Sequence, residues 1–526
     1  MGGGTIQLAA RGKEDLFLTQ DPQMTFFKVV YKRATNFTKE QIQQNFPTDA
    51  NFGRIVNCTI GKNGDLMGLI NIVVTLPSIN LPTSSLTKFA WVKKVGFALI
   101  KSVSIIINDE IIDKHYSDWL NLWSELTGSI TGPHHRGYNI MIGNVDSLTQ
   151  FSYTKSQYQL FIPLQFWFCK SSSMALPLVS LQYSPIRINV EFEQDVNCYL
   201  TSPTHYITCS TDIVSFKPME YIQQNLGNGD IRAGIFIKYD IATQRLYYYL
   251  ITTNKLVGMV LPQNVSISNT TQIAALQTQA YGLAYLITGL TSGYSTFATT
   301  STISNIAATS TIGTLNFVNC YLLIDYYYLD SDERYKFSQS RHDYLIEQLY
   351  YTPPIPISTT SYNANLITVN PCKLMVWYLQ MSYIYANGDY FNYTDSYQNK
   401  VFETETQFVG KVGTPVGNNV ALQSTILLNG LARISVRDNT YFEYLQQYQN
   451  TAYAPQTGIN MYSYALYPMA LQPSGSYNTS FCDNIQVQLK LSNIVTPTNS
   501  AIFHGYCVCH NIFRIVNGLG GVVFIK

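Results

Sequence analysis

An all-β architecture of sandwiches or barrels is what this sequence predicts, on three observations. Short apolar and aromatic runs recur along the chain, turn signals separate many of them, and helical patterning is confined to a few short stretches. The runs fall at Thr25–Tyr31, Leu69–Leu76, Val103–Ile107, Leu160–Phe168, Ile186–Phe192, Ile235–Tyr239, Leu246–Ile251, Leu374–Tyr383, Val487–Leu491 and Ile512–Val516. They are rich in β-branched and aromatic residues, which fit a pleated, half-buried surface. Asn63-Gly64, Asn387-Gly388 and Pro473-Ser474-Gly475 are the clearest turns between them. Helix is expected at the start of the chain, over Lys114–Leu126, near 331–349 and over Tyr441–Tyr448.

Periodicity changes most sharply within residues 315–350. Leu315–Leu329 is packed with β-favouring residues and holds one acid, Asp325, which reads as a mostly buried strand. Asp330 then caps a helix, with Glu333 three residues on, and Asp332 and Glu333 sit where the helix dipole favours anions. Leu345, Ile346 and Leu349 fit one helical stripe, and Pro353-Pro354 is the expected stop. A strand handing over to a helix deep inside the chain marks the end of one domain and a bridge to another. With 526 residues the chain has room for two or more domains.

The stretch from about 194 to 314 is the odd part. Its first half has aromatic, strand-like runs, and its second half has no charge from Leu256 to Ile324. So much sequence between two good strands reads as a large insertion, either a small subdomain or a disordered loop; its Tyr and Leu content favours order.

Charged residues make up only 12% of the chain and tyrosine supplies 40 positions. A chain this poor in charge covers its surface with copies of itself or with partners, or else is a glycosylated or Tyr/Ser/Thr/Asn-surfaced β protein. A net charge of +1 leaves no electrostatic footprint for nucleic acid or an anionic membrane. The uncharged run is too broken by Ser, Thr, Asn, Gln and Gly to partition into hydrocarbon. The N-terminus lacks the basic region and apolar core of a secretory signal, and Ile6 stands where myristoylation requires Ser or Thr. Nine scattered cysteines suit reduced, buried thiols rather than a disulfide scaffold. Sequons begin at Asn36, Asn57, Asn264, Asn269, Asn392 and Asn478; Asn264, Asn269, Asn392 and Asn478 are the candidate glycosylation sites.

No catalytic constellation emerges. His504, Cys507, Cys509 and His510 are residue types that suit zinc. On a strand, however, 504 and 510 point to one face and 507 and 509 to the other, so a core strand is the expectation and no metal or cofactor is assigned. His134-His135-Arg136 reads as a Gly/Pro-flanked loop. His115 stands near Asp113 where a strand passes to a helix, a place where polar residues usually cap and bridge. Gly518 to Gly521 has no following helix to receive a phosphate, so a bulge or tight turn is expected. Hydrolase, nucleotide-binding and zinc-protease motifs are lacking, and the chain is expected not to be an enzyme.

Several ordered motifs resemble one family. They run from Gly2-Gly3-Gly4-Thr5-Ile6-Gln7-Leu8 and Asp15–Thr19 through Pro22–Tyr31, Asn63-Gly64-Asp65-Leu66 and Ile112–Trp119 to Ala175–Leu178 and Leu181-Gln182-Tyr183. Asp325-Tyr326, Leu329-Asp330, Asp332-Glu333-Arg334 and Tyr344–Gln348 continue the order. Leu428-Asn429-Gly430, Arg437, Tyr441-Phe442, Tyr462–Leu466, Gln472–Gly475, Arg514-Ile515 and Gly518–Gly521 complete it. The chain resembles the major capsid proteins of nucleocytoplasmic large DNA viruses, the icosahedral group that includes phycodnaviruses, iridoviruses and mimivirus relatives. The likeness fails mainly across 194–314.

The resemblance implies two consecutive eight-stranded jelly rolls with a few short helices and a large insertion in the first. It implies an N-terminal arm over 1–24, a first roll over 25–335, a linker helix over 336–350 and a second roll over 351–526. Asp330, Asp332, Glu333 and Arg334 become caps and interdomain pairs. It further implies a homotrimer of nearly hexagonal outline, tiling an icosahedral shell made in host cytoplasm. The arm would face inward and the insertion outward. Expected partners are other copies, neighbouring capsomers, and minor capsid and penton proteins. An inner membrane lies beneath, and nucleic acid is not touched directly. The rival reading is a β-sandwich carbohydrate-binding attachment protein of a virion surface, with the aromatic-rich insertion as its site.

Overall fold

A computed structural model describes residues 35–524, apart from 84–85, 129–132, 210–215, 218–219, 228–229, 253–285, 290–294, 298–303, 306–311, 396–416, 452–455 and 498. The N-terminal arm and the expected strand Thr25–Tyr31 lie outside the described residues.

Eight strands build the first jelly roll: β1 (Phe37–Asn45), β2 (Ile55–Thr59), β3 (Leu66–Leu76), β4 (Ile100–Ile107), β5 (Glu110–Tyr116), β6 (Tyr158–Pro163), β7 (Ile186–Phe192) and β8 (Asn319–Leu329). One sheet has the order β1-β8-β3-β6 and the other β2-β7-β4-β5. Eight more strands repeat the plan: β9 (His342–Ile357), β10 (Ser361–Asn365), β11 (Pro371–Met381), β12 (Ala421–Leu428), β13 (Leu431–Asp438), β14 (Ile459–Ser463), β15 (Ile485–Leu491) and β16 (Ala501–Val516). Their sheets are ordered β9-β16-β11-β14 and β10-β15-β12-β13, the same path as in the first roll. All described pairings are antiparallel, and short extra strands extend the larger sheets.

Alternation explains each sandwich. In β7, Ile186, Ile188, Val190 and Phe192 point inward while the residues between them are half-buried. Ile485, Val487, Leu489 and Leu491 do the same in β15. Two-residue turns with positive φ close the matching hairpins: Asn108-Asp109 joins β4 to β5 and Asn429-Gly430 joins β12 to β13. Asn517-Gly518 makes a third such turn, after β16, which accounts for the C-terminal glycines.

Helix α1 (Ser117–Thr127) follows β5 directly, and α2 covers Pro133–Met141. The loop expected around His134-His135-Arg136 is therefore helical, with Pro133 at the first position, where its missing N–H costs nothing. The insertion joins β7 to β8. It contributes a seven-stranded sheet whose strands run in the order 295–297, 286–289, 221–227, 230–240, 245–252, 205–208 and 304–305. Ile207, Phe216, Phe236, Leu246 and Tyr248 form its core. Ile235, Ile237 and Tyr249 seat it on Ala90 and Phe151 of the first roll.

The linker differs from expectation. Helix α3 spans Ser331–Gln339, capped by the Asp330 carboxylate on the Ser331 N–H, with Asp332 and Glu333 in its first turn. It ends there: the helix expected over 336–350 is replaced after Gln339 by β9, which starts at His342. Leu345, Ile346 and Leu349 are strand residues paired with Ile512, Asn511 and Val508. Sixteen residues of β16 offer a ladder to this Tyr/Ile/Leu-rich stretch, and that pairing outweighs the helical spacing. Pro353-Pro354 does not stop a helix; it sits in the bulge between Thr352 and Ile355, where the ladder needs no N–H. Arg334 pairs with Asp65 at 3.0 Å, tying α3 to the first roll.

Candidate functional site: the seam between the jelly rolls

Buried charge and aromatic surface come together where the two rolls meet. Helix α1 turns Trp119, Leu122, Trp123 and Leu126 onto the outer face of the β9-β16-β11-β14 sheet. There they pack on Leu374, Val376 and Tyr378 of β11, Ile459 and Met461 of β14, and Tyr506 and Val508 of β16. The spacing of 3, 4 and 7 residues puts all four on one helical face. The flank of the same helix supplies Leu120 to the first roll's core.

Polar groups lock the margins. Asn121 donates to the Tyr393 hydroxyl at 2.9 Å, and Lys94 holds Asn121 and Glu125. The Asp113 carboxylate accepts from the Leu349 N–H at 3.0 Å, across the seam, and lies 3.0 Å from His115 Nε2. Gln348 Nε2 donates to the Ile112 carbonyl at 2.6 Å. Strand β5 of the first roll thus lies beside β9 of the second.

At the centre is a charge triad. Glu347 on β9 lies between Lys170, from the connection after β6, and Lys373 on β11. Lys170 Nζ is 2.5 Å from the carboxylate and 4.0 Å from the ring centre of Trp123. The bulge between Cys372 and Leu374 places Lys373 on the seam side of β11. Burial alone would raise the Glu347 pKa, but Lys170 and Lys373 override it and hold the carboxyl down at about 2. Burial, and then the second ammonium of Lys170, bring Lys373 down to about 8 in spite of Glu347. Burial, reinforced by Lys373, also keeps His510 below its ordinary value.

The zinc-suited segment lies on β16, and alternation divides it. His504, Tyr506 and Val508 face the seam, whereas Cys507 and Cys509 enter the second roll's core. His504 stacks on Tyr378 with Nδ1 3.8 Å from Asp118 Oδ2. His510 lies opposite Glu347 in the ladder. His115 is buried and stacks on Phe166. The side chains of His134 and His135, and residues Asn264 and Asn269, lie outside the described residues. Asn392 is corrected as a glycan acceptor: it is only 3% exposed, and its amide donates to Asp389 and accepts from Thr394. Asn478 is exposed.

Sequence reasoning missed Lys170, Glu347 and Lys373. The available signal was Lys373 as the one charge of apolar β11 and Glu347 as the one charge between Tyr344 and Tyr351 of β9, which predicts a buried partner.

The first part of the chain, residues 25–224, matches the family model described as "Major capsid protein N-terminus", and residues 333–521 match "Large eukaryotic DNA virus major capsid protein". "Probable capsid protein 4" of Acanthamoeba polyphaga mimivirus is 37% identical, over 100% of this chain and 99% of its own. This chain belongs to the major capsid proteins of large eukaryotic DNA viruses. The major capsid protein of Paramecium bursaria Chlorella virus 1 is 26% identical over the full length of both chains. Among solved structures, the PBCV-1 virus capsid matches with a TM-score of 0.61 at 22% identity, covering 95% of this chain and 100% of that one. The Faustovirus major capsid protein matches with a TM-score of 0.61 at 13% identity, covering 96% and 94%. These likenesses establish the double jelly-roll fold. The capsid protein is a structural component of a virion and not an enzyme. Among the described residues no helix is long and apolar enough to cross a membrane.

Proposed function

We propose that this capsid protein assembles as a homotrimer whose six jelly rolls give a capsomer of nearly hexagonal outline, tiling the facets of an icosahedral shell. The observation that carries the reading is the repeated eight-strand plan within one chain, with its two rolls joined through a buried seam. Three copies then present six similar lobes. The 12% charge content supports it as well, because obligate interfaces are larger and more apolar than transient ones.

On this reading the insertion between β7 and β8 forms an outward tower, and residues 1–24 line the inner face. Neighbouring capsomers, minor capsid proteins and penton proteins are the partners. Nucleic acid is not gripped, in keeping with the net charge of +1. Nine free cysteines fit assembly in host cytoplasm. Of the described candidate acceptors, Asn478 is the one open to a glycan. Light scattering on the purified protein, coupled to size exclusion, tests the trimer. Three chain masses are expected; a single-chain mass at every accessible concentration would sink the proposal.

A further inference from the structure

The stripe that closes the seam occurs twice in the chain. Trp119, Leu122, Trp123 and Leu126 have counterparts at identical spacing in Tyr441, Tyr444, Leu445 and Tyr448. Both sets follow the fifth strand of their roll: α1 starts directly after β5, and a π turn at Tyr441–Leu445, continued by α4 (Gln446–Asn450), starts shortly after β13. The flanking positions agree. Leu120 enters the first core and Phe442 the second, and the next residue is a buried polar one in each, Asn121 and Glu443.

What differs is the cover. In α1 the four residues are 0–6% exposed, against the second roll. In the repeat, Tyr444 is 41%, Leu445 45% and Tyr448 85% exposed. The adjoining strand shows the same contrast, since β5 lies against β9 while β13 is exposed along nearly all its length.

The central row of the receiving face is repeated too, with Asn71, Thr75 and Gln159 standing beside it where the second roll has Leu374, Tyr378 and Ile459. In the second roll, α1 packs on a cross-strand row formed by Met461, Val376 and Tyr506. The corresponding row in the first roll is Phe161, Val73 and Tyr321, on the equivalent strands β6, β3 and β8. Phe161, Tyr321 and the nearby Leu323 are partly exposed and belong to no buried cluster among the described residues. Among the described residues each chain therefore carries one exposed stripe, with Tyr441 half-buried against the second roll's core, and one half-exposed face, where Phe161 and Tyr321 flank a Val73 that is itself buried. Its own seam shows how such a pair fits.

We propose that the Tyr444–Leu445–Tyr448 stripe docks on the Phe161–Val73–Tyr321 face of a second copy of this chain, repeating between copies the contact that α1 makes within one. The inference rests on the homotrimer reading and adds to it the surfaces that join the copies. The contact is head-to-tail: each copy gives its stripe to one neighbour and receives a stripe from the other. Heterologous contacts of this kind build a ring when the rotation closes. Inside the ring, seam and junction alternate as nearly equal steps.

Two variants test it, Tyr444→Asp/Tyr448→Asp on the stripe and Tyr321→Asp on the face, with far-ultraviolet circular dichroism confirming folded chains. Each alone is expected to fall from three chain masses to one. Mixed, they retain one intact junction, stripe of the face variant on face of the stripe variant, and are expected to give two-chain species without closed trimers. If the wild type is a trimer and the stripe variant remains one, the docking is wrong while the trimer stands. If both variants are monomeric but the mixture gives no two-chain species, the docking is equally overturned. If the wild type is itself a monomer, the homotrimer reading fails first. Nitration of the wild type needs no variant: Tyr448 in the trimer is expected to resist tetranitromethane at least tenfold longer than in free chains. Equal rates would refute the docking even if a variant failed to fold.

Discussion

Glu347→Gln should loosen the seam, and its magnitude follows from two independent routes. Glu347, Lys170 and Lys373 are all mostly buried, so the substitution leaves two ammonium groups facing an uncharged amide. Removing one partner of a buried ion pair costs about 3–5 kcal/mol. The second route is linkage. The Glu347 pKa falls from an ordinary 4.5 to about 2, which is worth about 3 kcal/mol. Because the folded value is depressed, this stability is present above pH 4.5 and is lost as the pH falls toward 2. Lys373 acts in a different window. Its folded value of about 8 lies below the ordinary 10.5, so between these pH values the unfolded chain binds the extra proton and stability rises. Acid, not mild alkali, opens the lock. Urea unfolding followed by tryptophan fluorescence reports the event directly, since Trp123 lies against Lys170. With a slope of about 3 kcal/mol/M, the midpoint of the seam transition should drop by about 1 M. A matched triple variant, Lys170→Met/Glu347→Leu/Lys373→Met, should recover to within about 1 kcal/mol of the wild type, because apolar replacement removes the desolvation cost. A midpoint unchanged by Glu347→Gln, or a triple variant as weak as the single one, would refute the reasoning.

Leu122→Ala hollows the seam and should cost about 2–5 kcal/mol, seen as a lower melting midpoint and faster proteolysis between the rolls. Asp113→Ala strips the Leu349 N–H and His115 of their partner, for a loss of about 3 kcal/mol in thermal melts. Replacing residues 204–312 with a short Gly/Ser linker should leave three chain masses in light scattering, because β8 and the pair of 199–202 with 88–91 are retained; loss of folding would place the insertion in the core. Intact-peptide mass spectrometry after expression in a glycosylating host should find Asn392 unmodified, since its amide is hydrogen-bonded within the fold. Asp325→Ala should lower the melting midpoint of monomeric stripe variants, because Lys39 and Gln41 of the same copy both bind that carboxylate.

Strands whose inward positions are apolar were legible, and β7 matches its expected limits to the residue. β1 was not, because Phe37–Asn45 reads FTKEQIQQN and nearly every side chain is exposed, which leaves no alternation to read. β13 escaped for the same reason. The start of α3 was legible in Asp330, Asp332 and Glu333, but its end was not. Leu345, Ile346 and Leu349 suit a helical stripe as well as a strand, and only the partner strand more than 150 residues away decides. The seam itself was hidden because its parts lie far apart in the chain. The expected interdomain charges at 330–334 serve as a cap and as a tie to the first roll, while the true lock joins positions 170, 347 and 373. A helix over Tyr441–Tyr448 is legible and the structure extends it to Asn450, but its exposed stripe gains meaning only once the stripe on α1 is seen buried.

The two rolls also place charge at matching ladder positions, with a difference that bears on assembly. In the first roll Gln41 faces Asp325, four residues before Asn45 meets Tyr321; in the second, Glu347 faces His510, four residues before Tyr351 meets Tyr506. The first cluster is satisfied within its own roll, where Lys39 and Gln41 both reach Asp325. The second is completed only by Lys170 from the other roll. A charge triad spanning two bodies is tolerable where they are parts of one chain, because the linker keeps the partner always at hand and the buried charges are never left alone. A junction between separate copies has no such guarantee. Each copy must stay soluble before it meets a neighbour, so its buried carboxylate is neutralised internally and the junction face presents Phe161, Tyr321 and Leu323 beside the uncharged Gln159.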